Sequence, residues 1–322
     1  MFLKPMALDP PTLKSLNAAL VKRAFLRKTT NALRLVNGKG DALDGLILEQ
    51  YDRHFLAQVF DRRWINQAEA LKNFLIEKFQ ARYFILKDRS HNTASSATSF
   101  KSQILLGELS STTLVRENGH LFEVDLNDGL NTGLFLDMRA NRLGVGQACK
   151  DKRVLNCFAY TCSFGVYAKA RGAKAIVNVD ISNKVLGRGR HNYELNSLKE
   201  DKGDFIKADA TEYLQVAVKK DNRFDVIVID PPSFARVGAK VFNVEKALPG
   251  LIENALKVLN EGGKIFVSTN FNGLSHNKLE QIFKSLNRFR GFKKLTRLGQ
   301  DKDFVGSGLI KESYLAALWV EY

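Results

Sequence analysis

Asp180, Asp209 and Asp230 each follow a short apolar run and each precede a segment with helical spacing. The most specific signal is Asp230-Pro231-Pro232-Ser233-Phe234. Two prolines directly after an apolar run end it and remove two backbone N–H donors. Their carbonyls stay available to an exocyclic amino group on a base. Phe234 offers a face on which an extruded base can stack, or it packs into a core behind a rigid turn. The acid of Asp180-Ile181-Ser182 can accept both hydroxyls of a ribose, or cap a helix beside Ser182. Asp209, before Ala210, can accept from an adenine amino group or cap the next helix. In Asn156-Cys157-Phe158-Ala159-Tyr160-Thr161-Cys162-Ser163 a turn would bring backbone N–H groups to a cofactor. It lacks Gly-x-Gly-x-x-Gly, which disfavours a dinucleotide site.

These groups need strand ends to hold them. Strands are expected at 153–158, 175–180, 204–207, 225–230 and 263–269, with helices at 163–171, 183–197, 210–219, 244–260 and 275–287. Strict alternation implies right-handed crossovers and a parallel sheet covered on both faces. Ligands then bind beyond the carboxyl ends of the strands, where all three acids fall. Two last strands, 293–298 and 313–322, have no helix between them, so a terminal hairpin with one antiparallel edge strand is expected.

The first half reads as a smaller α/β domain. Strands are expected at 33–36, 45–49, 54–60 and 83–86, with a helix at 65–79. A hairpin is expected from 121–126 and 133–137 around Asn127-Asp128-Gly129. Residues 93–102 read as a loop. Ahead of these, Leu13, Leu16, Leu20 and Ala24 recur at helical spacing beside Lys4, Lys14, Lys22, Arg23, Arg27 and Lys28. This segment is a basic helix, either merely solvated or lying on an RNA backbone. The expected domains are a basic arm at 1–28, an accessory α/β domain at 29–118 and a larger domain at 119–322.

At 322 residues the chain has room for about two domains. It is 45% hydrophobic and 26% charged, which argues against disorder. A formal net charge of +15 suggests an anionic partner, with nucleic acid the commonest large one. No apolar run approaches the ~18–20 residues of a membrane helix, and the first residues lack a secretory pattern. Three cysteines without Cys-x-x-Cys, and five scattered histidines, support neither a disulfide framework nor a metal site. A cytoplasmic location is expected.

Five ordered segments resemble the bacterial large-subunit ribosomal RNA methyltransferases I and K/L. They are Thr132-Gly133-Leu134-Phe135-Leu136-Asp137-Met138-Arg139, Leu155–Thr161, Asn178–Ser182, Asn192-Tyr193-Glu194-Leu195-Asn196 and Asp230–Phe234. The resemblance covers about residues 30–322 and is strongest over 130–235. It implies a Rossmann-like class I methyltransferase, α/β, with a mostly parallel seven-stranded sheet, a terminal antiparallel hairpin and a smaller N-terminal α/β domain. It implies S-adenosyl-L-methionine as cofactor. Phe158, Tyr160, Thr161, Asp180, Ile181, Ser182, Asp209, Ala210 and Asp230 would line the cofactor site. Phe135, Asp137 and Arg139 would close over the methionine end or the ribose. Pro231, Pro232 and Phe234 would face the target base.

Two departures matter. Cys162 stands where the family usually has glycine, which would crowd the methionine end and is the only support for a non-catalytic RNA-binding assembly factor. Too few residues precede the accessory domain for the RNA-binding PUA domain of methyltransferase I, so RNA docking is expected from the basic helix or the accessory domain. Cytosine C5 methylation usually needs a cysteine nucleophile. After the fifth strand this chain has Ser268-Thr269-Asn270-Phe271-Asn272-Gly273, with no cysteine. The expected function is therefore direct methyl transfer to a base of large-subunit ribosomal RNA, guanine before cytosine, with another methyl acceptor as the alternative. Lys284, Arg288, Arg290, Lys293, Lys294 and Arg297, with no acid among them, read as phosphate contacts or as a solvated edge.

Overall fold

In the computed structural model, the described residues are 7–91, 100–107, 111–129, 131–237, 240–288, 291–306 and 314–322. Lys4, Arg290 and most of the 93–102 loop lie outside them. The chain divides into two compact units: Met1–Asp137 with Asp301–Glu312, and Met138–Gln300 with Ser313–Tyr322.

The first unit is built on a five-stranded sheet, β1 (Ala32–Asn37), β2 (Leu46–Tyr51), β3 (His54–Val59), β4 (Tyr83–Asp88) and β5 (Lys101–Leu106), in that spatial order. Only β3 and β4 pair in parallel. A parallel pair needs a crossover, which α2 (Arg63–Asn66) and α3 (Ala68–Phe79) supply. Ala68, Leu71 and Leu75, at helical spacing, are buried against Phe55 and Phe84. The basic segment is helix α1 (Pro10–Arg23), capped by Asp9 and continued as a 3-10 turn, Ala24–Lys28. It is no separate arm: Leu16, Ala19 and Leu26 join the core of this unit. Arg23 is fully buried, paired with Asp41 at 2.6 Å, and donates to the Asp303 carbonyl.

The expected hairpin is placed differently. β7 (His120–Asp125) pairs with β6 (Thr112–Glu117), and residues 133–137 form no strand. The turn is Asn118-Gly119, with φ of 49° and 89°. Positive φ at both central residues matches the right-handed twist of the strands, so this Asn-Gly pair, not Asn127-Asp128-Gly129, closes the hairpin. The boundary between units accordingly falls near 137 rather than 118.

The second unit carries a seven-stranded sheet of β8 (Arg153–Cys157), β9 (Ala175–Asp180), β10 (Phe205–Lys207), β11 (Phe224–Ile229), β14 (Leu259–Thr269), β15 (Lys294–Leu298) and β16 (Ala316–Glu321). Their spatial order is β10-β9-β8-β11-β14-β16-β15. Helices α4 (Arg139–Gln147), α5 (Ser163–Ala170), α6 (Asn183–Leu195), α7 (Ala210–Lys219), α8 (Val244–Val258) and α9 (His276–Ser285) belong to this unit. β16 is antiparallel to both neighbours, so it alone runs against the sheet. The antiparallel strand is therefore internal, and β15 is the edge. Burial explains the exchange: Ala316, Ala317, Leu318 and Val320 are buried, whereas the residues of β15 are not. An unexpected hairpin, β12 (Phe234–Val237) with β13 (Lys240–Asn243), leads from β11 towards α8.

Candidate active site

The strand order reverses between β8 and β11, and the loop after β8 lies at that switch. Phe158, Tyr160 and Cys162 hold positive φ of 57°, 50° and 59°. For side-chain-bearing residues this costs about 1–3 kcal/mol each and persists only where surroundings impose it. They do so here. Ala159 N–H donates to the Val179 carbonyl, Tyr160 N–H to Asp180 Oδ2, and Asn192 Nδ2 to the Thr161 carbonyl. Alternating backbone of this kind turns N–H groups inward to a concavity.

Asp180 sits half-buried at the end of β9 and also accepts from Ser182 N–H at 2.9 Å. Burial pushes its carboxyl up, against the pull of these N–H donors. Ser182 caps α6 through its hydroxyl, so the capping alternative weighed for Asp180 is met by its neighbour. Ile181 is exposed beside them. Asp209 does cap α7: Oδ1 accepts from Thr211 and Glu212 N–H at 2.8 and 3.1 Å, and Ala210 is buried at the helix start. Both bonds go to one oxygen, Oδ1. A carboxylate for a diol, an acceptor for an amine and a concave loop at the switch point suit an adenosyl cofactor.

Beyond β11, Asp230 Oδ1 accepts from the buried Ser268 hydroxyl on β14 at 2.6 Å. Ser233 Oγ donates to Asn270 Oδ1 at 2.7 Å. Pro231 is buried and Pro232 exposed. Phe234 is 58% exposed, so it is not a core residue. Its ring meets Phe271 edge to face, 5.5 Å between centroids. The ends of β11 and β14 thus form one group, with exposed Phe234 set against Phe271, which itself packs on the core.

The remaining site residues are divided. Phe135, half-exposed, and Asp137 belong to the first unit, where the Asp137 carbonyl accepts from Asp301 N–H. Arg139 is buried at the start of α4 in the second.

Cys162 does not crowd the loop's concave side. Its Sγ packs against α6 at Gly189, in space that a Cβ there would contest. The sequence singles out neither Gly189 nor the pairing of Ser268 with Asp230, and it gives Asn192 and Phe271 no role of their own within the segments that contain them. It also gives none to buried Asn178 on β9, which accepts from Asn156 and donates to the Asp204 carbonyl and the Tyr193 hydroxyl. An asparagine inside an apolar strand was the available signal. All three cysteines are buried, and burial pushes each thiol up, Cys149 to about 12.

A sheet with this order, a strained loop at its switch and acids at the ends of β9, β10 and β11 define a class I methyltransferase. The family model for S-adenosylmethionine-dependent methyltransferases matches residues 43–282, and the chain belongs to that family. Ribosomal RNA large subunit methyltransferase I of Aeromonas salmonicida is 31% identical over 310 residues, 94% of this chain and 76% of that protein. Ribosomal RNA large subunit methyltransferase K of Neisseria meningitidis is 34% identical over 224 residues. That match covers 66% of this chain and 62% of the Neisseria protein, less than two thirds of its length. A crystal structure of a chain described as a methyltransferase, complexed with S-adenosylhomocysteine, matches with a TM-score of 0.83 and 29% identity. It covers 99% of this chain and 83% of that one. A methyltransferase structure from Streptococcus mutans matches at the same TM-score with 28% identity. The protein is thus a methyltransferase that uses S-adenosylmethionine.

Proposed function

We propose that the methyl acceptor is a base of large-subunit ribosomal RNA, with guanine the preferred base and direct displacement the chemistry. The observation that carries this reading is the exposed Phe234 ring, edge to face on Phe271, in the group that holds Asp230 and Asn270. An exposed ring on a proline-stiffened turn suits an extruded base, whose stacking is worth about 1–3 kcal/mol. The +15 charge suits a polyanion, and the Aeromonas and Neisseria relatives are named for ribosomal RNA.

Bound S-adenosylmethionine supplies an electrophilic methyl group. Asp180 would accept from its ribose hydroxyls, and Asp209 from its adenine amine. Asp230, fixed by Ser268, accepts from an amino group on the target base and orients it, while Phe234 stacks on its face. With Oδ1 of Asn270 taken by Ser233, its Nδ2 is the outward donor, which matches the O6 acceptor of guanine. A guanine N7 loses no proton on attack, so orientation and exclusion of water carry the step, and orientation alone can supply about 7–11 kcal/mol of a barrier. Cytosine C5 transfer would need a thiolate, and the three thiols are buried and held protonated by their surroundings. The test is transfer of labelled methyl to purified large-subunit RNA, followed by nucleoside analysis. Label in a methylguanosine supports the reading. Label in 5-methylcytidine, or in protein alone, overturns it.

A further inference from the structure

The outer face of α1 and its 3-10 extension has no role in the site described. Residues 10–40 contain no aspartate or glutamate. Lys14, Val21, Phe25 and Lys28 follow at helical spacings, Lys22 stands beside Val21, and all five are exposed. In the 3-10 turn, residues three apart eclipse, which stacks Lys28 over Phe25. Val21 is 75% and Phe25 48% exposed, in a helix whose other face is packed. Lys302, exposed on the Asp301–Glu312 segment of the same unit, brings its Nζ 5.7 Å from the Phe25 ring centroid. Asp9 caps the helix, and buried Asp41 holds Arg23 and Lys22.

We infer that this face docks a single-stranded segment of the RNA substrate, with Lys14, Lys28 and Lys302 on phosphates and a base against Phe25. The inference rests on the RNA reading of the methyl-transfer site and adds a second RNA contact in the other unit. Charge decides the occupant. An apolar protein partner would be served by Val21 and Phe25 but not by Lys14, Lys22 and Lys28 on a stretch that carries no acid, whereas a polyanion releases counterions at each lysine. The half-exposed ring adds sequence-tolerant stacking.

The test measures binding of a fluorescent 20-nucleotide single-stranded RNA to the full chain across a salt series. The proteins are wild type, Lys14→Gln/Lys28→Gln and Phe25→Ala. The lysine pair should weaken binding fivefold or more and reduce the salt slope by about 1.4, or ~0.7 for each lost phosphate contact. Phe25→Ala should weaken binding about tenfold with the slope unchanged. S-adenosylhomocysteine affinity should be the same in all three, which verifies folding of the transfer unit. If wild type methylates RNA but both variants bind it with unchanged affinity and slope, the docking face is wrong and the functional reading stands. If wild type neither binds nor methylates RNA, the functional reading fails and takes the docking face with it. If Val21→Asp dissociates an oligomer while RNA affinity is unchanged, the face is a protein interface and the inference is overturned.

Discussion

The Cys162 sulfur occupies the space that a Cβ on Gly189 would need: such a carbon would lie 2.5 Å from Sγ. Cys162, buried in the loop after β8, is thus accommodated by a glycine on α6. Gly189→Ala should destabilise the protein by about 1–3 kcal/mol through overpacking, despite alanine's better helix propensity. Adding Cys162→Gly should recover most of the loss, because it removes both the sulfur and the positive-φ strain. Chemical denaturation of the four proteins of the cycle measures the coupling, and additive losses would refute the packing.

Asp180 links cofactor binding to pH. Burial holds its carboxyl above the usual carboxylate range, so protonation begins at a higher pH than for an exposed aspartate. Its protonated form loses an acceptor for the ribose hydroxyls. Affinity for S-adenosylhomocysteine should therefore fall as pH drops through this raised value. The folding contribution has the opposite sign. A raised folded-state pKa favours the fold below the unfolded value and loses that contribution as pH rises through the folded one. Calorimetric affinities from pH 4.5 to 8, compared with Asp180→Asn, check this; the variant should bind weakly and lose the acid-side dependence.

In the first unit, Lys87 is fully buried on β4, and its Nζ donates to the Gly129 carbonyl. Burial lowers its pKa to about 8, although Glu49, Asp125 and Asp128 pull it upward. Between about pH 8 and the unfolded value of 10.5 the unfolded chain binds the extra proton, so this residue adds stability as pH rises, by at most about 1.4 kcal/mol per unit. The three buried thiols act oppositely above pH 9, the ordinary thiol value, because their raised pKa favours the fold at lower pH. The readout is therefore a difference. From pH 8 to 10, wild type should gain stability relative to Lys87→Met.

Ser268 holds Asp230, and the pair separates positioning from binding. Ser268→Ala should lower the rate of transfer about 10–100-fold with cofactor affinity intact. Ser268→Thr, which keeps the hydroxyl, should recover part of the rate. A large loss of cofactor affinity in Ser268→Ala would place the serine in the cofactor site instead.

Legibility in the sequence followed the range of the interactions. The alternation of β8 through β14 and the acids at their ends are local patterns, and α7 fell at the expected residues 210–219. The position of β16 between β14 and β15 depends on which strand is buried on both faces, which periodicity over ten residues does not encode. Asn118-Gly119 is as local a turn signal as Asn127-Asp128-Gly129, and only the pairing of β6 with β7 tells them apart. The membership of Asp301–Glu312 in the first unit rests on contacts about 270 residues apart, such as Asp303 Oδ2 accepting from Arg34 N–H. Asp180 and Asp230 stand out in the sequence because they are acids at strand ends. Ser268, Asn270 and Phe271 acquire meaning only when β14 lies beside β11.

The most direct test of RNA base methylation is nucleoside mass spectrometry of large-subunit ribosomal RNA. It compares a parent strain, a strain lacking this gene, and that strain carrying wild type or Asp230→Ala. The expected result is loss of one methylguanosine, restored by wild type and not by Asp230→Ala, whose purified protein still binds S-adenosylhomocysteine. An unchanged nucleoside profile, or restoration by Asp230→Ala, would contradict it.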